Sequence, residues 1–97
     1  MTRVRLLRKA EEELEAAARY YEAEQSGLGA ALLQEVRRVL RRIGEQPLAS
    51  RIERGGVRVR TVSRFPYCIY FRASPDEVLI IAIAHRRRRP GFWASRI

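Results

Sequence analysis

Residues 78–84 read Val-Leu-Ile-Ile-Ala-Ile-Ala, an apolar stretch without a single polar interruption. A strand with one solvated face alternates in polarity, and this one does not, so both of its faces have to be covered. The chain has only 97 residues in which to do it, enough for one core and no second folding unit. Residues 1–97 are therefore expected to form one domain. Hydrophobic residues at 46% and charged residues at 32% are globular proportions and argue against disorder.

The remaining elements can be read outward from that strand. Arg3 to Leu7 alternate loosely, as a short strand does, and run straight into a helical pattern. From Lys9 to Glu24, Ala10, Leu14, Ala17, Ala18 and Tyr21 recur at helical spacing, with Glu11, Glu12, Glu13 and Glu15 early, where they complement the helix dipole. Ser26-Gly27-Leu28-Gly29 breaks the pattern. A second helix from Leu28 to Glu45 buries Leu32, Leu33, Val36, Val39, Leu40 and Ile43, and Gln46-Pro47 ends it. Two helices joined by a short Gly-containing turn make an antiparallel hairpin.

Leu48 to Arg54 reads as a polar connection, and Gly55-Gly56 opens a strand from Val57 to Val62. Phe65-Pro66 turns the chain into the strand Tyr67 to Arg72, and Ser74-Pro75-Asp76 turns it into the run ending at His85. The expected fold class is α+β, an N-terminal strand and an antiparallel helical hairpin packed on a small antiparallel sheet, in the order β-α-α-β-β-β. The sheet face against the helices is expected to hold Val57, Val59, Ile69, Phe71, Leu79, Ile81 and Ile83 or their alternates. The opposite face would carry Arg58, Arg60, Tyr70 and Arg72, a basic and aromatic surface suited to nucleic acid or an acidic peptide.

Charge is distributed unevenly. Residues 1–53 hold ten bases and nine acids, whereas residues 54–97 hold ten bases against Asp76 and Glu77 alone. Partners of the second half should be anionic. Cys68 is the single cysteine and Lys9 the single lysine, so no intrachain disulfide or Cys-rich metal site can form, and a reducing cytoplasm is expected. His85 is the only histidine and cannot define a metal centre by itself, so no cofactor is expected. No apolar run approaches the ~20 residues of a membrane span or the core of a leader peptide. Gly27 and Gly29 are not a phosphate-binding fingerprint, because they join two helices and lack a third glycine or a Lys-Ser/Thr pair.

Tyr20-Tyr21-Glu22 followed by Gly27-Leu28-Gly29 and Glu35-Val36, the hairpin Gly55-Gly56-Val57-Arg58, Phe65-Pro66-Tyr67 with Ile69 and Tyr70, and the ending His85-Arg86, Arg89-Pro90, Phe92-Trp93 and Arg96 together resemble the RelE/ParE superfamily of bacterial toxins. The resemblance spans nearly the whole chain. It implies the toxin of a type II toxin-antitoxin pair, a hetero-oligomer with an acidic antitoxin that reaches operator DNA only through the antitoxin. Arg58, Arg60, Tyr67, Arg72, Leu32 and Val36 are the residues placed against the antitoxin on this reading.

Two activities divide the superfamily. RelE-like members cleave mRNA on the ribosome, which requires groups to move protons and cations to hold the scissile phosphate. Arginine serves only the second purpose, because its guanidinium stays protonated at neutral pH and cannot accept a further proton. His85, Tyr67, Tyr70 and Glu53 would have to supply proton transfer, with Arg51, Arg58, Arg60 and Arg86 holding the phosphate. ParE-like members bind DNA gyrase and trap it on cleaved DNA without any hydrolysis of their own. The ending Pro90-Gly91-Phe92-Trp93 and the Tyr20-to-Gly29 hairpin are closer to this branch. On that reading Arg86, Arg87, Arg89, Phe92, Trp93 and Arg96 contact the target, with Trp93 the aromatic anchor. The plainer alternatives are that Phe92 and Trp93 cap the core, that the four arginines 86–89 form a solvated tail, and that Cys68 is a small buried hydrophobe.

Overall fold

A computed structural model describes residues 2–97. In chain order the elements are β1 (Arg3–Leu6), α1 (Arg8–Glu24), α2 (Leu28–Glu45), β2 (Arg51–Arg54), β3 (Val57–Thr61), β4 (Tyr67–Ala73), β5 (Glu77–His85) and a short 3-10 turn, Ala94–Arg96. The five strands form one sheet in the order β1-β5-β4-β3-β2. The α+β class and the helical hairpin are as the sequence led one to expect.

Two features differ. The sheet is mixed, because β1 pairs with β5 in parallel, from Arg3 opposite Glu77 to Leu6 opposite Ile80, whereas all other pairings are antiparallel. The crossover is made by the hairpin itself, which returns the chain to the sheet on its far side. The stretch expected to be a polar connection also contains a strand, β2, which pairs antiparallel with β3 at the sheet edge. A short edge strand with one apolar residue among three charged ones carries almost no periodic signal.

β5 lies between β1 and β4, and Val78, Ile80, Ile81, Ala82, Ile83 and Ala84 are all buried. The two-sided coverage demanded by its sequence is therefore met. A β-bulge makes it possible: Tyr70 pairs with Ala82 and Phe71 with Ile80, which leaves Ile81 as the extra residue. Ile80 and Ile83 join the core under the helices with Leu32, Val36, Ile43, Ile69 and Phe71. Ile81 and Ala82 turn to the other face, where they meet Val57, Val59, Cys68, Tyr70 and Trp93.

This register corrects the expected faces. Val59 sits opposite Tyr70, and Arg58 and Arg60 sit opposite Phe71 and Ile69. Val57 and Val59 thus belong with Tyr70 on the face away from the helices, whereas Arg58 and Arg60 emerge on the helical side. A shift of one residue exchanges the faces of a whole strand, and no local pattern in residues 57–62 states which register is used.

The hairpin is closed by Glu22 of α1, whose carboxylate accepts hydrogen bonds from the backbone N–H groups of Gly27 and Gly29, both at 3.0 Å. It satisfies donors at the start of α2 that no intrahelical carbonyl can reach. Gly29 does more than turn the chain, since a Cβ there would lie 2.5 Å from the Ala18 carbonyl oxygen. The helices approach closely because that atom is missing. Replacing Gly29 by Ala should lower stability by about 1–3 kcal/mol through this overpacking, read as a drop in thermal midpoint with an unchanged helical spectrum after refolding.

Candidate functional site

After His85 the chain crosses the face of the sheet that the helices leave open. Gly91, at φ 75, lies beneath the Arg54 guanidinium, which occupies the space a Cβ would need. Phe92 meets Tyr70 edge-on at 5.4 Å and is flanked by the guanidiniums of Arg88 and Arg96, 4.2 and 5.3 Å from its centroid. Trp93 is 3% exposed and fills the second core beside Tyr70, Val57 and Ile81. Truncating a buried tryptophan of this kind costs roughly 3–5 kcal/mol.

One ion pair fixes this segment. Beyond Leu6, β1 ends and β5 runs on without a strand beside it, which leaves its peptide groups to be satisfied otherwise. Glu13 of α1 accepts the Ile83 N–H at 3.0 Å, and Arg96 donates to the Ile81 carbonyl at 3.1 Å. The two side chains meet each other as a bidentate pair at 2.9 and 2.7 Å, almost out of solvent. Helix, strand edge and C-terminal segment are joined at this one point.

The residues expected to form a nuclease centre divide between the two faces of the sheet. Arg58 and Arg60 lie on the helical side, where Arg58 donates to the carbonyls of Ser50 at 2.7 Å and Leu48 at 3.3 Å, and Arg60 to the Ser50 hydroxyl at 3.3 Å. Tyr70 lies on the opposite face, where charges on Arg51, Glu53 and Arg86 act on its neighbour Cys68. His85 pairs across β4 with Tyr67, and its Nδ1 accepts the Arg87 N–H at 3.1 Å. Burial is the main cause that pushes the phenols of Tyr67 and Tyr70 up, so both stay protonated at neutral pH. Neither can act as a base there.

The expected contact residues divide in a similar way. Leu32 and Val36 are fully buried core positions, so the expectation that they touch a partner is corrected by the packing of α2 on the sheet. Trp93 is interior and Arg96 is committed to Glu13, so neither offers a free side chain to a target. Arg86, Arg87 and Arg89 are exposed, as is Arg72. Among the described residues, none of the arginines 86–89 makes an ion pair. Arg88 borders a groove of about 370 Å³ between α1 and β5, together with Tyr20, Tyr67 and His85. Tyr20 is 59% exposed there, while Tyr21 turns inward onto Phe65 at 5.1 Å.

Sequence reasoning missed two sets of residues. Glu13 and Arg96 are 83 positions apart, and nothing local connects them. Arg38 and Arg42 of α2, to which the sequence reading gave no role, line a cleft of about 460 Å³ between α2 and β3 with Glu35, Arg60 and Thr61. Their spacing of four places them on one helix face, and that was the available signal.

A helical hairpin across one face of a mixed five-stranded sheet, with a basic segment folded over the other, is a RelE/ParE-like α+β fold. A profile of the family described as ParE toxin of type II toxin-antitoxin system, parDE, matches residues 4–90. The chain belongs to that family. Among solved structures it is similar to a chain of the chromosomal ParDE TA system from P. aeruginosa, with a TM-score of 0.78 and 25% identity over 88% of this chain and 96% of that one. A comparison with curated proteins finds no match.

Burial raises the Cys68 thiol as well, against the opposing pull of Arg51 and Arg86. Groups whose pKa is raised on folding favour the protonated native state, so their contribution is complete below their unfolded values and is lost as pH rises. With Tyr67, Cys68 and Tyr70 all shifted upward, the thermal midpoint should fall as pH climbs from about 8 toward 10.5. Replacing Glu13 by Ala strands Arg96 and the Ile83 N–H, and should destabilise the protein by about 3 kcal/mol. In native protein at pH 8 iodoacetamide should leave Cys68 nearly untouched, and in that variant alkylation should speed up together with a red shift of Trp93 fluorescence.

Proposed function

We propose that this ParE-like toxin arrests growth by binding DNA gyrase and trapping it on cleaved DNA, and that an acidic antitoxin holds it inactive. The observation that carries the reading is the division of the nuclease candidates: Arg58 and Arg60 emerge on one side of the sheet, Tyr70 with Arg51 and Glu53 on the other, and the only histidine, His85, is apart from that second group and accepts a backbone hydrogen bond. Residues on opposite faces of a packed sheet cannot converge on one phosphate. Docking to a target asks for no convergence and no shifted pKa. It requires an accessible surface, and the exposed arginines 86–89 beside the Tyr20, Tyr67 and His85 groove supply one with charge and aromatic area. Gyrase acts in the cytoplasm, which is where this reading places the protein.

Purified protein added to gyrase and supercoiled plasmid should produce protein-linked DNA breaks after denaturation, in proportion to its concentration. Reversing two exposed charges with Arg87→Glu and Arg89→Glu should reduce those breaks by about tenfold or more while leaving the fold intact, since neither side chain is tied into the structure. Folded wild-type protein that gives no breaks but cuts mRNA on translating ribosomes would overturn the reading in favour of the RelE-like activity.

A further inference from the structure

The cleft between α2 and β3 lies away from both the arginine tail and the aromatic groove. Its walls are Glu35, Arg38, Val39 and Arg42 on one side and Arg60 and Thr61 on the other. The helices pack toward the β1–β5 side of the sheet, so the β3–β2 side is overhung and left open beneath α2. Arg58 does not add to the free charge there, because it ties the link between α2 and β2 through two carbonyls. Among the described residues the guanidiniums of Arg38 and Arg42 form neither a hydrogen bond nor an ion pair. Glu35 is the one carboxylate in the cleft. It is largely buried and faces Arg64 at 3.9 Å, so guanidiniums outnumber carboxylates around this opening.

The neighbouring surface is apolar. Ile52, opposite Arg58 and therefore on the same side of the sheet, is 56% exposed, and Leu48 is 71% exposed. Ile52 stands at the β2 margin of the sheet, where no further strand is paired among the described residues, whereas Leu48 lies with Thr2, Pro47 and Ala73 at a separate opening. Unpaired arginines on the same side of the sheet as an exposed isoleucine and a free strand edge are complementary to a chain that combines carboxylates with an apolar residue.

We propose that this cleft is the docking site for an acidic polypeptide segment, with its carboxylates held by Arg38, Arg42 and Arg60 and an apolar side chain seated on Ile52. Two observations favour a polypeptide over nucleic acid. No aromatic residue lines the cleft, whereas single strands are held largely by base stacking on aromatic side chains. A duplex presents its phosphates on a convex surface, which would not enter an opening overhung by a helix. The proposal deepens the function above by locating the contact of the acidic antitoxin, and rests on that reading only for the identity of the partner. The chemistry of the cleft is independent of what the toxin attacks.

The test uses the full-length protein and a fluorescein-labelled oligoglutamate of about ten residues, titrated by anisotropy at about 50 mM salt, where exposed charges remain weakly screened. Arg38→Glu with Arg42→Glu should weaken binding about tenfold or more. Arg8→Glu with Arg19→Glu changes the net charge equally on α1 and should weaken it by less than about threefold. Because all four side chains are exposed, thermal melts should show both double variants folded. As a second measurement that needs no variant, oligoglutamate should shift the backbone amide resonances of α2 and β3 and leave those of residues 86–89 in place. Equal weakening by the two pairs, amide shifts centred on residues 86–89, or tighter binding of labelled oligothymidine with the same dependence on Arg38 and Arg42 would each overturn the proposal. The outcome is separate from the gyrase assay, since oligoglutamate can bind as expected whether or not DNA breaks appear.

Discussion

The Glu13–Arg96 pair ties helix α1, the open edge of β5 and the C-terminal segment together at one point. β1 is four residues long and stops while β5 continues, so the most apolar strand of the sheet would present bare peptide groups on one edge. Glu13 and Arg96 take the place of the missing strand there, one accepting from Ile83 and the other donating to Ile81. In doing so they neutralise each other at hydrogen-bonding distance. A nearly buried ion pair is a poor source of net stability compared with a hydrophobic substitute, but removal of either partner is costly. What it provides is placement: the segment carrying Phe92 and Trp93 is fastened with its aromatic rings against the second face.

That placement separates the duties of the chain's arginines. Arg96 and Arg58 are built into the scaffold, and Arg54 lies over Gly91 as a packing element. Arg86, Arg87, Arg89, Arg38 and Arg42 have no such attachments and stand out in two regions, one following β5 and one on α2. A net charge of +9 is therefore misleading as a description of surface chemistry, since part of it is consumed inside the structure and the rest is concentrated. Steering of an anionic partner depends on the concentrated part. On the proposed function, in which one partner neutralises the protein and another is its target, two separate basic regions would let each be engaged on its own terms.

Much of this was legible in the residues themselves. Helical periodicity located both helices, turn chemistry separated β3, β4 and β5, and the unbroken apolar run stated that something must lie on either side of β5. The unread features share a physical character, which is that each is decided by residues distant in sequence. Four residues in β1 do not state whether they run parallel to a partner. The register between β3 and β4 puts Val59 opposite Tyr70, and one residue of slip would have produced the expected face for β3 instead. Trp93 could be read equally as an anchor for a target or as a cap on the core, and the choice follows from Arg96 finding a carboxylate 83 positions earlier. The chemistry of the α2 cleft was hidden because two arginines on a helix surface have no meaning until a strand bearing a third is laid beside them.

The bulge at Ile81 sets a rule for how this chain can diverge. Because one supernumerary residue is what lets Ile80 and Ile83 face the helices while Ile81 and Ala82 face Trp93, loss of a single codon in this stretch would rotate everything beyond it by half a turn. Exchange among valine, isoleucine and leucine changes only volume, which a core absorbs at modest cost. Lineages descended from this protein are thus free to rewrite the letters between Ile80 and His85, but not to change how many there are.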